Sequence, residues 1–132
     1  MSANSETILT CAVVCEAATI DQQNRAVIYG IFSQIQAATV PATHPQFAVF
    51  CIWEGEPGDK HSQIIKIVGP KGETITETPT MNFEIGRPQA RLISQFNLMR
   101  FNDFGVYKVK ILLDGKLIRE IPLEVVNVKR ES

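Results

Sequence analysis

Three cysteines and two histidines are the side chains of this sequence best suited to nucleophilic or metal chemistry. Cys11 and Cys15 stand four residues apart, and Cys51 lies in an apolar run from Phe47 to Trp53. His44 sits between Pro41 and Pro45, and His61 follows a turn-rich stretch. A thiolate nucleophile needs a cationic neighbour or a histidine base, and no cysteine has one close in sequence. An enzyme built on Cys11 or Cys51 therefore requires the fold to deliver a histidine. Zinc asks for three or four His/Cys ligands at motif spacing, and neither Cys-x-x-Cys nor His-x-x-x-His occurs. Gly-x-Ser-x-Gly, phosphate-binding glycine loops and His-Glu-x-x-His are absent too. At strand rise Cys11 and Cys15 are about 13 Å apart, outside disulfide reach. The cysteines read as buried small apolar groups and the histidines as exposed loop residues.

Carboxylates offer the other route to chemistry. Calcium needs several of them converging in one loop cluster. Asp21, Asp59, Asp103 and Asp114 occur singly, in stretches that turn chemistry already explains. A loop-end site for calcium or a small ligand would draw on Asp21, Asp59 and Asp103, and needs them at one end of the fold. On these grounds the sequence assigns no catalytic residue, no cofactor and no metal ligand.

The elements that must position these residues follow a period of two rather than 3.6. Ile8 to Glu16 reads as a strand, and Gln22 to Arg25 as a polar turn. Ala26 to Gln36 fits a helical stripe through Ile28, Ile31, Phe32 and Ile35, but its β-branched content and Gly30 favour a strand with a bulge. Pro41, His44 and Pro45 bracket a loop. Phe47 to Trp53 is apolar on both faces and so central, with Trp53 at its rim. Gly55 to Asp59 is a turn, Gln63 to Val68 its hairpin partner, and Glu73 to Thr78 a solvated edge strand. Pro79 to Pro88 is irregular, anchored by Met81, Phe83 and Ile85. Leu92, Ser94, Phe96 and Leu98 share one face of a later strand.

The last third alternates most regularly, with Tyr107, Val109, Ile111 and Leu113 on one face. Asp114-Gly115 is the dipeptide of a type I′ hairpin turn. Lys116 to Val126 returns beside it, and Pro122 argues that this strand is at an edge or begins late. Asp103-Phe104-Gly105-Val106-Tyr107 resembles a tyrosine corner, in which a hydroxyl bonds back to nearby backbone. These features predict an all-β, antiparallel β-sandwich of seven to eight strands, immunoglobulin-like or a related Greek key. The single domain spans 1–132, with disordered ends at about 1–6 and 129–132.

Thirteen basic and fourteen acidic residues leave a net charge of −1. So balanced a chain has no field to draw it to nucleic acid or anionic lipid, and neither is expected as a partner. No basic, apolar leader and no membrane-length apolar run occurs, and the cysteine count is odd; together these predict a cytoplasmic protein.

Cys15-Glu16-Ala17-Ala18-Thr19-Ile20-Asp21, Ile28 to Ile35, Val40-Pro41 and Phe47-Ala48-Val49-Phe50 form one series of motifs. Gly105-Val106-Tyr107, Leu112-Leu113-Asp114-Gly115 and Ile121-Pro122-Leu123 complete it. Over nearly the whole chain this series resembles an uncharacterised bacterial family of small all-β proteins, domain of unknown function family 6941. That resemblance implies the fold and carries no catalytic or ligand residue. The sequence thus predicts a non-enzymatic module that binds a protein partner or self-associates through open sheet edges.

Overall fold

Alternating apolar residues build ten strands in the computed structural model, which describes residues 6–87 and 89–128. They are β1 (Ile8–Ile20), β2 (Ala26–Ile31), β3 (Gln34–Ala37), β4 (Ala42–Glu54) and β5 (Lys60–Val68), then β6 (Thr74–Glu77), β7 (Met81–Glu84), β8 (Ala90–Phe101), β9 (Gly105–Leu113) and β10 (Lys116–Asn127). One sheet has the order β2-β1-β4-β8; the other runs β3-β10-β9-β5-β6, with β7 also on β5. Every pairing is antiparallel except β3 with β10. The all-β sandwich expected from the sequence is therefore present, with ten strands instead of seven or eight. The expected disordered ends lie largely outside the described residues.

Two departures account for the extra strands. Ala26 to Gln36 does not stay in one sheet: Phe32 and Ser33 carry the chain from β2, on β1, to β3, on β10. Met81–Glu84, inside the stretch read as irregular, is short but pairs with Lys60–Gln63. The loop expected at Pro41–Pro45 also gives way, because β4 begins at Ala42 and incorporates His44 and Pro45. His44 is consequently no loop residue, and its ring packs against Phe32 and Phe47.

The core lies between the sheets. Phe47, Val49, Cys51 and Trp53 of β4 meet Ile65 and Ile67 of β5, Tyr107, Val109 and Ile111 of β9, and Leu123 and Val125 of β10. Trp53 is fully buried, not at the rim, because its indole N–H finds a buried acceptor in Gln63 Oε1 at 2.7 Å. Ala48 and Phe50 point to the other face of β4, yet they are buried as well. Arg91 of β8 donates to the carbonyl and side chain of Asn24, drawing the β1–β2 turn across that outer face.

β8 breaks its own alternation. Leu98 has φ of 52° and stands 72% exposed, opposite Pro45 in the ladder, while Phe96, Met99 and Phe101 are buried. A left-handed residue at 98 turns the strand so that side chains three apart both reach the core. Leu98 therefore does not share the face of Phe96, contrary to strict period two. At the opposite hairpin, Asp114 and Gly115 have φ of 52° and 83°, the signs a type I′ turn requires. The tyrosine corner is formed: the Tyr107 hydroxyl donates to the Asp103 carbonyl at 2.9 Å and accepts from the Asp103 amide at 3.2 Å.

Candidate functional site

One end of the sandwich gathers the start of β1, the β4–β5 connection and the β9–β10 turn. There His61 Nδ1 lies 2.7 Å from Asp114 Oδ2, and His61 Nε2 lies 2.8 Å from Thr7 Oγ1. The Ser62 amide donates to Asp114 Oδ1 at 2.8 Å. Gly55 makes room for this arrangement, since a Cβ there would sit 2.7 Å from Thr7 Oγ1. Burial pushes the Asp114 carboxyl up, but the hydrogen bonds from His61 and Ser62 outweigh it and leave the group below its ordinary value. His61 is thus no free loop residue; its side chain is only 17% exposed and its ring packs beside Phe83.

Hydroxyl, imidazole and carboxylate in series have the connectivity of an acyl-transfer relay. Beside them opens a shallow cleft of about 550 Å³ lined by Lys60, His61, Ser62, Asn82, Phe83, Glu84 and Asp114. Thr7 is not on its wall, so the hydroxyl does not face the space a substrate would occupy. Both imidazole nitrogens are engaged, which leaves the ring to tie the segment before β1 to the β9–β10 turn. Fifty-three residues separate His61 from Asp114, and no local sequence signal joins them.

The carboxylates singled out from the sequence do not converge. Asp21 closes the β1–β2 turn by accepting from the Gln23 and Arg25 amides and the Arg25 guanidinium. Chiefly the Arg25 amide holds its carboxyl below the usual value. Asp59 follows β4 and Asp103 follows β8, and β4 and β8 are antiparallel, so the two lie at opposite ends of the sandwich. A shared loop-end site on Asp21, Asp59 and Asp103 is therefore not assembled.

The cysteines are free, with Cys15 and Cys51 buried and Cys11 half-buried. Burial pushes the Cys51 thiol up to about 12 and raises Cys15 as well. Each histidine faces a carboxylate, His61 that of Asp114 and His44 that of Glu16 at 3.4 Å. The pairing of a histidine with Cys11 or Cys51 that a thiol enzyme needs does not appear among the contacts of the described residues.

The sheet edges differ sharply in how they meet solvent. Unpaired strand edges are templates for association, and charge, proline, shortness or cover blunts them. β6, as the sequence predicts, is an edge strand, but it has only four residues. β8 carries Arg91 and Arg100, and Thr76–Pro79 walls a groove of about 350 Å³ along it. β10 carries Lys116, Arg119 and Glu120. Its Glu124 amide donates to Ser33, so the nitrogen of Pro122, two residues earlier, faces the same side without a hydrogen to give.

β2 has none of these protections. Its sequence, Ala26-Val27-Ile28-Tyr29-Gly30-Ile31, holds no charge and no proline, and it ends its sheet. Tyr29 and Ile31 are 59% and 65% exposed. The Asp21 amide donates to the Arg25 carbonyl at the hairpin end, so alternation turns the amides of Val27 and Tyr29 toward β1, whereas Phe32 donates to Val14; Gly30, with φ of 63°, is where the backbone changes over. Glu16 occupies the space where a side chain at Gly30 would begin; a Cβ there would lie 2.9 Å from its Cγ.

Among solved structures, the chain is similar to the alkylpurine DNA glycosylase AlkC of Pseudomonas fluorescens bound to DNA containing an abasic site analog. The match has 14% identity and a TM-score of 0.60, covering 94% of this chain and 31% of that one. The chain thus spans about a third of the length of that protein, and the likeness is one of fold. It corrects the expectation that nucleic acid is excluded, because a domain of this shape occurs within a DNA-bound protein. Net charge is a sum over the chain, whereas phosphate contacts depend on local groups. Here Lys66 and Lys110 stand opposite each other on β5 and β9, with Lys108 two residues along. Among the described residues no helix is long and apolar enough to cross a membrane. No curated protein matches the sequence. A family model, that of a family of unknown function designated DUF6941, matches residues 10–126, and the chain belongs to that family.

Proposed function

We propose that this chain is a non-enzymatic, cytoplasmic binding module of immunoglobulin-like type that takes up protein by strand addition at β2. The observation that carries this reading is the unprotected edge: an uncharged, proline-free strand at the end of its sheet, whose outer backbone amides and carbonyls meet no further strand among the described residues, with two exposed large apolar side chains. Strand addition uses such amides for affinity and alternate side chains for selectivity. The tyrosine corner supports the immunoglobulin-like placement. Three free cysteines, two of them buried, suit a reducing compartment.

Affinity capture with the tagged chain and its Ile31→Lys variant tests this. A lysine on an edge strand discourages pairing without entering the core. Partners held by the wild type and lost by a folded Ile31→Lys protein support the reading. Partners retained equally by both would sink it.

A second reading, contact with nucleic acid, is favoured by Lys66, Lys108 and Lys110 at the centre of the second sheet's outer face. Glu77 stands opposite Lys66, and Glu120 lies 3.9 Å from Lys108 and 3.5 Å from Lys110. Fluorescence anisotropy on an abasic-site duplex at two salt concentrations tests it. Salt-sensitive binding that Lys108→Glu abolishes supports the reading, and no binding at low salt removes it.

A further inference from the structure

His44 sits where the chain changes sheets. Its ring packs against Phe32, the first residue of the crossover from β2 to β3, and against Phe47 of β4, with centroids 5.6 and 6.0 Å away. Its Nε2 is buried and makes no hydrogen bond, yet Glu16 Oε1 lies 3.4 Å from it. Gly30 leaves the room that Glu16 occupies, because a Cβ at that position would begin 2.9 Å from the Glu16 Cγ. An unpaired buried nitrogen, a carboxylate within ion-pair distance and the segment joining the two sheets thus converge on one point. We infer that His44 and Glu16 form a pH-sensitive latch, closed by protonation of the imidazole, that fastens the β2–β3 crossover.

Imidazole is the side chain whose charge changes between about pH 5 and 8, a range in which carboxylates are already ionised. A neutral ring carries one N–H on either nitrogen, whereas an imidazolium carries two, so Nε2 then always donates. With that charge in place, a small swing of the half-exposed Glu16 side chain turns the contact into a charge-assisted hydrogen bond. The same charge is drawn to the Phe32 ring, whose plane is tilted 34° from the imidazole. β2 and β3 carry no charged residue. On β1 the neighbouring Cys15 thiol, raised by burial, stays neutral. β8 sets Met99 opposite His44, and the adjacent Arg100 directs its Nε to Asn102 Oδ1. The latch therefore closes as pH falls through the imidazole range and opens as pH rises.

Two backbone bonds report on the crossover: the Phe32 amide donates to Val14 and the Glu124 amide to Ser33, each at 3.0 Å. Amide-exchange protection factors at Phe32 and Glu124, taken at about pH 7.5 and about pH 5.5, test the inference in wild type, Glu16→Gln and His44→Phe. The expected wild-type result is about threefold higher protection at the lower pH. Both variants are expected to lose that rise, while Val109 behaves alike in all three proteins. The His61–Asp114 pair lies at the far end of β4 and is untouched in both variants, so any pH effect of its own persists in them. A wild type with no rise at Phe32 and Glu124 overturns the latch, and so does a rise that Glu16→Gln retains. Should His44→Phe fail to fold, Glu16→Gln decides alone, since it replaces one oxygen on a half-exposed side chain.

Discussion

Tyr107 folds its hydroxyl back onto the backbone of Asp103, four residues earlier, donating to the carbonyl and accepting from the amide. The ring is buried against Phe101 with edge-to-face geometry, so the corner locks the β8–β9 connection into the core. Both backbone groups lose this partner if the hydroxyl is removed. Tyr107→Phe keeps the ring and is expected to destabilise the fold by about 1–3 kcal/mol. Urea unfolding measures this, and an unchanged midpoint would show that water replaces the hydroxyl without loss.

Leu98 presents the reverse case. A left-handed backbone costs an L-residue roughly 1–2 kcal/mol, and the exposed side chain returns little. Asparagine tolerates this conformation better than leucine. Leu98→Asn should therefore raise stability by up to about 1 kcal/mol. A lower melting temperature for this variant would mean that the Leu98 side chain contributes packing its exposure does not suggest.

Alkaline pH should weaken the fold through Cys51. Its thiol is pushed up to about 12 by burial, whereas in the unfolded chain it ionises near its ordinary value of about 8.5. Between those values the folded state holds a proton that the unfolded state releases. Stability is therefore intact below about pH 8.5 and falls by up to roughly 1.4 kcal/mol per pH unit above it. Cys15 and Tyr107, also raised by burial, act in the same direction. Unfolding free energies between pH 8 and 11 should show this slope, and Cys51→Ala should flatten it whatever it does to absolute stability.

Acid works through the opposite sign. Asp114 and Asp21 are held below their ordinary values, so their contribution is present above about pH 3.9 and is lost as pH falls through the folded value. Asp114→Asn combined with Asp21→Asn should make the acid limb of the stability profile shallower. An unaltered limb would place the acid sensitivity elsewhere.

Thr7 and Asp114 hold opposite nitrogens of His61, which fastens the segment before β1. His61→Ala should increase amide exchange at Leu9 and Trp53, where β1 meets β4, more than at Val109 in the middle of β9. Uniform protection across both sites would show that the imidazole fastens nothing.

Features written in a few adjacent residues were legible in the sequence. Asp114-Gly115 specifies its turn through allowed φ angles, and Tyr107 specifies its corner through a four-residue reach. Pro122 was only half a guide: β10 lies between β9 and β3 rather than at an edge, and the proline falls before Glu124, where β3 begins to pair. Long-range meetings were not legible: nothing near His61 points to Asp114, and nothing in Ala26 to Gln36 shows that the chain changes sheets at Phe32. Leu98 was misplaced because alternation assumes ordinary backbone angles, and leucine rarely leaves them. The unprotected state of β2 emerged only by comparison with the other edges, since an apolar run reads alike in a covered and an open strand.

Among the described residues β3 finds its one sheet partner in residues 124–127, about ninety positions further along the sequence. On a ribosome, the first hairpin and β4 can be complete while Gln34–Ala37 still has nothing to pair with. The strand that stitches one sheet to the other is thus among the first made and the last seated. Until β10 emerges, a nascent chain leaves Gln34–Ala37 without the strand it pairs with in the folded protein.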